Sequence, residues 1–466
     1  MLAPTPSAVR TPALVCGSER IGRDELWERV GRLAGGLAAR GLGPGDAVAL
    51  VLPNGLAFVT GFLAVAQLRG VVVPLNPQYK RPELAFYLRD SGVRAVLTDA
   101  AGARLCGDLD VPVIADADRL IASHPELAPV PGTADETLLR AYSSGSTGRP
   151  KCVSRSTGQL RWEAESVVAA MQLTEADTIF CSIPMFHAYG LGCCLLAAIR
   201  SGAGLVIADP GLPLALAREH TLEVLERERV TVLPAVPFAL RVLAESGGGG
   251  DLGALRLCFS AGNALPRSTF DAFDRAFGIP IRQLYGLTET GAVTINLDED
   301  PWATAASVGR PMAGIDVDVL DVAGDSVEAG HIGEIALSSP AMTRRHGARL
   351  LTGDRGRLDE AGRLVITGRR KLLIDVSGDK VDPIEVEDVL AVHPKVREVV
   401  VVGVPSSIEG EELIKAVVVG EAACGERELI RFCRERLANY KVPHMVEFRE
   451  EIPRSSLGKV LRKYLV

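Results

Sequence analysis

Between Asp24 and Arg40 the apolar residues Leu26, Val30, Leu33 and Leu37 recur at helical spacing, so they share one face, and Gly41 offers a C-terminal stop. The short apolar run AVALVLP follows, then a second helical stretch near Ala57 to Leu68, then VVVPL. Continuously apolar runs alternating with helices predict a parallel sheet covered by helices. The rhythm returns where a helix ending through Glu223 to Arg229 leads into VTVLPAVP, and where LRLCFSAG leads into a helix from Ser268 to Phe277. This predicts a doubly wound α/β body. After about Gly368 the character changes. VVVVGVP, IKAVVVG, a helix over Glu426 to Ala438 and MVEFREEIP predict a small α+β unit with an interdomain hinge at its start. The glycine run Gly247 to Gly250 reads as a surface loop tip.

Length and composition narrow the class. At 466 residues the chain exceeds one hydrophobic core and predicts roughly three compact units. Hydrophobic residues at 47% and charged residues at 23% exclude disorder and fibrous repeats. A net charge of −7 gives no basic stripe for a nucleic-acid backbone, so no nucleic acid is expected as partner. Nine cysteines are scattered without a C-x-x-C pair, and Cys193 and Cys194 sit in an apolar run. That suits a reduced cytoplasmic protein without structural zinc or a catalytic thiol. The opening MLAPTPSAVR lacks the apolar core of a signal peptide, and no apolar stretch reaches membrane-spanning length, so a soluble protein is expected.

Candidate chemistry begins at Tyr142 to Lys151, YSSGSTGRPK. There Ser143, Ser144, Gly145, Ser146, Thr147 and Gly148 can turn backbone N–H groups and hydroxyls toward phosphate oxygens, and Lys151 adds a point charge. It is not the Walker-type loop, because Pro150 stands where that motif needs its second glycine and Cys152 follows the lysine. Alone, such a run is more often a flexible loop. Four further segments follow it: YGLTET (Tyr285 to Thr290), TGD (Thr352 to Asp354), GRRK (Gly368 to Lys371) and PRSSLGK (Pro453 to Lys459). Each by itself reads as a turn or a solvated loop.

In that order the five segments resemble the adenylate-forming superfamily of acyl- and aryl-CoA synthetases, nonribosomal adenylation domains and beetle luciferases. PGDAVALVLPN, PMFHAYGLG and LANYKVP extend the resemblance over nearly the whole chain. It implies an α/β fold: a body over 1–370 of doubly wound sheets plus a β-barrel-like subdomain, and a small mobile α+β lid over 371–466. It also implies an AMP-forming acid–thiol ligase that uses ATP, Mg²⁺ and coenzyme A. A carboxylate attacking the α-phosphate of ATP is anion meeting anion, so fixed positive charge is required.

The resemblance assigns roles residue by residue. Glu289 would bind magnesium and Thr288 a phosphate. Asp354 and Arg369 would hold the ribose. Gly262, Asn263, Ala264, Tyr285 and Gly286 would form the adenine slot. Lys459 would contact the carboxylate and α-phosphate during adenylation, and Lys371 would be the hinge between two catalytic poses. Ser377 and Gly378, in DVSGDK, would line the pantetheine tunnel. His187, Tyr189, Gly190 and Leu287 would bound the acyl pocket. His187 stands where amino-acid-activating domains carry an aspartate, which disfavours an α-amino acid, since a buried ammonium without that partner is costly. The bland alternative for His187 is a hydrogen-bonded core histidine.

Two departures stand out: MTRRHGARL (Met342 to Leu350) lacks the family's longer G-Y-x-x-x-P stretch, and Cys152 and SRST replace the usual glycine and hydroxyl–histidine pair. The chain ends at Val466, so no carrier domain is expected in cis. The rivals to a CoA ligase are an enzyme loading a separate carrier protein and a catalytically silent nucleotide-binding protein. A monomer or homodimer acting on a small carboxylic acid is expected.

Overall fold

The structure is a computed structural model that describes residues 13–107, 109–143, 150–209, 211, 217–245, 250–342, 349–369, 374–376, 379–406, 412–421, 424–437, 439–455 and 460–466. The chain divides into two compact units, Met1–Asp316 with Ser338–Ala348, and Val317–Leu337 with Arg349–Val466.

Two sheets form the first unit. One has nine strands, in the order Arg310–Pro311, Gly291–Ile295, Ile281–Leu287, Leu257–Ser260, Val232–Ala235, Thr178–Cys181, Gly204–Ile207, Leu14–Cys16 and Glu19–Ile21. Its middle strands are parallel and the reversals lie toward its two ends. The other has six, in the order Val113–Ile114, Ala95–Thr98, Ala47–Val51, Val71–Leu75, Thr137–Ser143 and Lys151–Ser156, antiparallel only at the last pair. Strands Ala47–Val51 and Val71–Leu75 are buried at every position, as a sheet covered on both faces requires. Helix Arg23–Ala39 turns Leu26, Val30, Leu33 and Leu37 inward, and Gly41 follows it with φ +81°. Phe270 and Phe273 of helix Arg267–Phe277 pack with Leu233, Leu240 and Phe180.

In the second unit lies a four-stranded sheet, Asp316–Leu320, Gly333–Ser338, Leu350–Leu358 and Leu364–Arg369. A separate three-stranded sheet pairs Val396–Pro405 antiparallel with Glu412–Gly420, which runs parallel to Met445–Phe448. Alternation sorts its two faces. Val401, Ile414, Ala416 and Val418 pack with Val386 and Leu390 of helix Pro383–Ala391 and with Leu429 and Cys433 of helix Glu426–Arg434. Val400, Val402, Val417 and Val419 are covered instead by Ile452 and Leu465. The second helix ends four residues before the expected Ala438. The amides of Arg436 and Leu437 both bond to the Cys433 carbonyl, so Leu437 keeps its apolar place as the helix tightens and stops.

Leu465 is 0% exposed, so Leu465→Ala should cost about 2–5 kcal/mol by leaving a cavity under the sheet. A lowered denaturant midpoint for this unit is the expected result; an unchanged midpoint would mean that the terminal segment does not hold the sheet.

Candidate active site

Strand Thr137–Ser143 turns back antiparallel into Lys151–Ser156, with Ser143 opposite Lys151 and Tyr142 opposite Cys152. Ser144, Gly145, Ser146, Thr147 and Gly148 lie outside the described residues. Ser143 is half-buried; Lys151 is exposed, and its ammonium makes no ion pair or hydrogen bond among the described residues. Tyr142 is engaged within the fold: its hydroxyl donates to Asp90 at 2.7 Å and its ring packs edge-on against Tyr87. Burial pushes the Cys152 thiol up, which keeps it protonated and unreactive.

Gly262, Asn263 and Ala264 follow the end of strand Leu257–Ser260, whose parallel neighbour is Ile281–Leu287. Tyr285, Gly286 and Leu287 end that neighbour, so both segments leave the carboxyl edge of one sheet, where open α/β sheets bind ligands. Gly262 has φ +85°, a conformation that favours glycine. At Tyr285/Gly286 the register shifts, and a Cβ on Gly286 would stand 2.5 Å from the Gly291 carbonyl oxygen. The turn that follows is closed by the Thr290 amide donating to Leu287 O at 3.2 Å. It carries Thr288 and Glu289, both half-buried.

The Glu289 carboxylate has no ion pair or hydrogen bond among the described residues. A partly buried, unpaired carboxylate suits a hard cation. Among the described residues no group of three or more His, Cys, Asp or Glu could hold a metal ion, so phosphate oxygens and water would have to complete the shell around Glu289.

The segment Phe186–Gly190 packs in the same unit. The turn Ala188–Gly190 lies beside strand Gly291–Ile295. Tyr189 places its hydroxyl between Ala235 O (3.1 Å) and Phe259 O (3.3 Å), at the ends of two parallel strands, and burial holds its phenol well above the usual range. Gly190 admits no side chain, since a Cβ would stand 2.5 Å from Pro184 O. The His187 ring lies against Phe186 with centroids 4.6 Å apart and planes tilted by 46°, and Leu287 is half-buried.

Three residues here escaped the sequence reading. Asn54 clamps the approach to Phe186, donating to Ile183 O and accepting from the Met185 amide, both at 2.8 Å. Its place in PGDAVALVLPN gave no hint of that partner. Arg155 and Glu163 form a buried ion pair of 2.6 Å, 1% and 2% exposed. A signal existed for this one: Glu163 falls in the apolar stripe Leu160, Ala164, Val167, Met171 of helix Thr157–Met171, where a carboxylate demands a buried cation.

In the second unit Asp354 is 4% exposed on strand Leu350–Leu358, directly opposite Arg369 on the neighbouring strand. Its amide donates to the Thr352 hydroxyl at 3.1 Å, and that hydroxyl donates to Ile335 O at 2.9 Å, which shapes the turn around Gly353 at φ +75°. Lys371, Ser377, Gly378 and Lys459 lie outside the described residues. Val460, next to Lys459, bridges to Arg454, and the Leu461 amide bonds to Pro453 O at 2.8 Å.

Comparison with known proteins gives a consistent picture. The family described as AMP-binding enzyme matches residues 6–345, and its C-terminal domain matches residues 385–459. Feruloyl-CoA synthase of Amycolatopsis sp is 33% identical, over 94% of this chain and 92% of that protein. Oxalate–CoA ligase of Arabidopsis thaliana is 31% identical, over 96% and 93%. ATP-bound MatB from Rhodopseudomonas palustris superposes with a TM-score of 0.90 at 27% identity, covering 99% of this chain and 96% of that one. The o-succinylbenzoate CoA synthetase of Bacillus subtilis, solved with its acyl-adenylate intermediate, gives 0.87 at 28%, covering 98% and 95%.

Proposed function

The chain belongs to the AMP-binding enzymes, the adenylate-forming family, and on that premise we propose that it joins a small carboxylic acid to AMP and passes the acyl group to coenzyme A. The observation that carries this reading is that one compact unit holds both a half-buried carboxylate, Glu289, and an exposed cation, Lys151, neither with an ion pair or hydrogen bond among the described residues.

In the first half-reaction a carboxylate oxygen of the acid bonds to the α-phosphorus of ATP, the bond to the bridging oxygen breaks, and pyrophosphate leaves. Lys151 and Lys459 offset the crowding of negative charge, and Thr288 donates to a phosphate oxygen. Mg²⁺ at Glu289 supplies charge stabilisation when bound. Gly262 to Ala264 with Tyr285 and Gly286 take the adenine, and Asp354 with Arg369 the ribose hydroxyls. In the second half-reaction the coenzyme A sulfur bonds to the acyl carbon, its proton passes to solvent, and AMP leaves with the carboxylate oxygen. Ser377 and Gly378 line the approach of the thiol, and torsion at Lys371 turns residues 371–466 between the two poses. His187, Tyr189, Gly190 and Leu287 bound the acid, without the carboxylate that an α-ammonium group would need.

The acceptor is tested by incubating the enzyme with ATP, Mg²⁺, coenzyme A and short dicarboxylic, aryl and medium-chain acids in turn, then weighing the products. Equal amounts of AMP and acyl-CoA are expected for at least one acid. Acyl-AMP that accumulates without acyl-CoA would overturn coenzyme A as acceptor and point to a separate carrier protein.

A further inference from the structure

Arg155 and Glu163, 1% and 2% exposed, are too buried to meet a substrate, yet they reach the turn that carries Thr288 and Glu289 and the segment that follows Gly190. Arg155 sits four residues after Lys151 on the same strand. Its Nη1 donates to Glu163 Oε2 at 2.6 Å, its Nε to Ala341 O at 3.3 Å, and its Nη2 to Thr290 O at 3.5 Å. Thr290 is the residue after Glu289. From the other side, Glu163 presses on Gly291: a Cβ there would stand 2.0 Å from Oε1, and Gly291 has φ +71°. Glu163 also meets Gly192, where a Cβ would stand 2.2 Å from the same oxygen, in the π-helical turn Leu191–Leu196 that continues from Gly190. One guanidinium and one carboxylate thus meet the C-terminal end of the turn that presents Thr288 and Glu289, at Thr290 and Gly291.

Stability alone does not call for this arrangement. Well-packed apolar residues of similar volume often serve as well as a buried ion pair or better, because both charges must be desolvated. What apolar residues cannot supply is a planar fork of donors that reaches a carboxylate and two carbonyls at separate angles. We propose that Arg155 and Glu163 are positioning residues for adenylation, holding the Thr288–Thr290 turn at the height where the Glu289 carboxylate meets the Mg²⁺ of MgATP. The inference rests on the reading of Glu289 given above and adds to it the device that sets that side chain.

The test is Arg155→Lys, which keeps the buried charge balance but replaces the fork by a single ammonium. A second variant, Arg155→Met with Glu163→Leu, removes both charges together. ATP affinity is measured by calorimetry with and without Mg²⁺, beside kcat and KM for acid-dependent pyrophosphate exchange. Losses of roughly 10–100-fold are expected in the Mg²⁺-dependent part of ATP affinity and in kcat, in whichever variant folds, with KM for the acid unchanged. A folded Arg155→Lys or double variant with wild-type Mg²⁺ dependence and kcat overturns the proposal and leaves the pair a packing feature. Glu289→Gln separates the two ideas. If it abolishes the Mg²⁺ effect while the Arg155 variants do not, the positioning role fails alone; if Glu289→Gln has no effect, the reading of Glu289 fails first.

Discussion

Lys459→Ala is expected to lower acid-dependent pyrophosphate exchange by roughly 10²–10³-fold, the scale of losing one fixed charge-stabilising group from a transition state. Thioester formation from preformed acyl-AMP and coenzyme A should be largely unchanged. The asymmetry follows from division of labour. Adenylation brings a carboxylate against a polyphosphate and needs an added cation, whereas attack of sulfur on an acyl-AMP expels a leaving group that already carries its charge. Val460, the residue after Lys459, forms a strand bridge with Arg454. Three residues on, Arg462 pairs with the Glu387 carboxylate at 2.7 Å, and Glu387 also accepts from the Val401 amide at the same distance. Equal losses in both half-reactions would refute the division.

Glu289→Gln is expected to cost about 10²-fold in the same exchange and to raise the Mg²⁺ concentration needed for half-maximal rate. Stability should move the other way or not at all. The carboxylate is half-buried with no partner among the described residues, so removing its charge relieves a desolvation cost rather than breaking a contact. A melting temperature that is unchanged or slightly raised, together with lost activity, marks a side chain kept for chemistry. A lowered melting temperature with intact activity would mark it as structural.

How much of this was legible beforehand depends on the range of the interaction. Helix Arg23–Ala39 and strands Ala47–Val51 and Val71–Leu75 were readable because their periodicity is local and strong. Strand order was not: Leu14–Cys16 lies beside Gly204–Ile207, nearly two hundred residues away, and nothing in either segment names the other. Motif order pointed to candidate residues for a nucleotide site, and the described structure puts Gly262 to Ala264 and Tyr285 to Glu289 at or just beyond the ends of adjacent strands. The π-helical turn Leu191–Leu196 read only as an apolar run, because its hydrogen-bond pattern leaves no mark on hydropathy. Tyr142 opens the candidate phosphate segment in sequence but packs edge-on against Tyr87, which in turn stacks on Tyr79. The identity of Arg155's partner was hidden for a different reason: the charge in the apolar stripe announces that a partner exists, while only folding shows which carbonyls complete it.

Isotope exchange between labelled pyrophosphate and ATP, measured without coenzyme A across a panel of carboxylic acids, tests the central claim most directly. The account predicts label entering ATP only when both Mg²⁺ and a suitable acid are present, because reversible acyl-AMP formation is the only route. Firm ATP binding with no exchange for any acid would contradict it and leave a nucleotide-binding protein without the reaction.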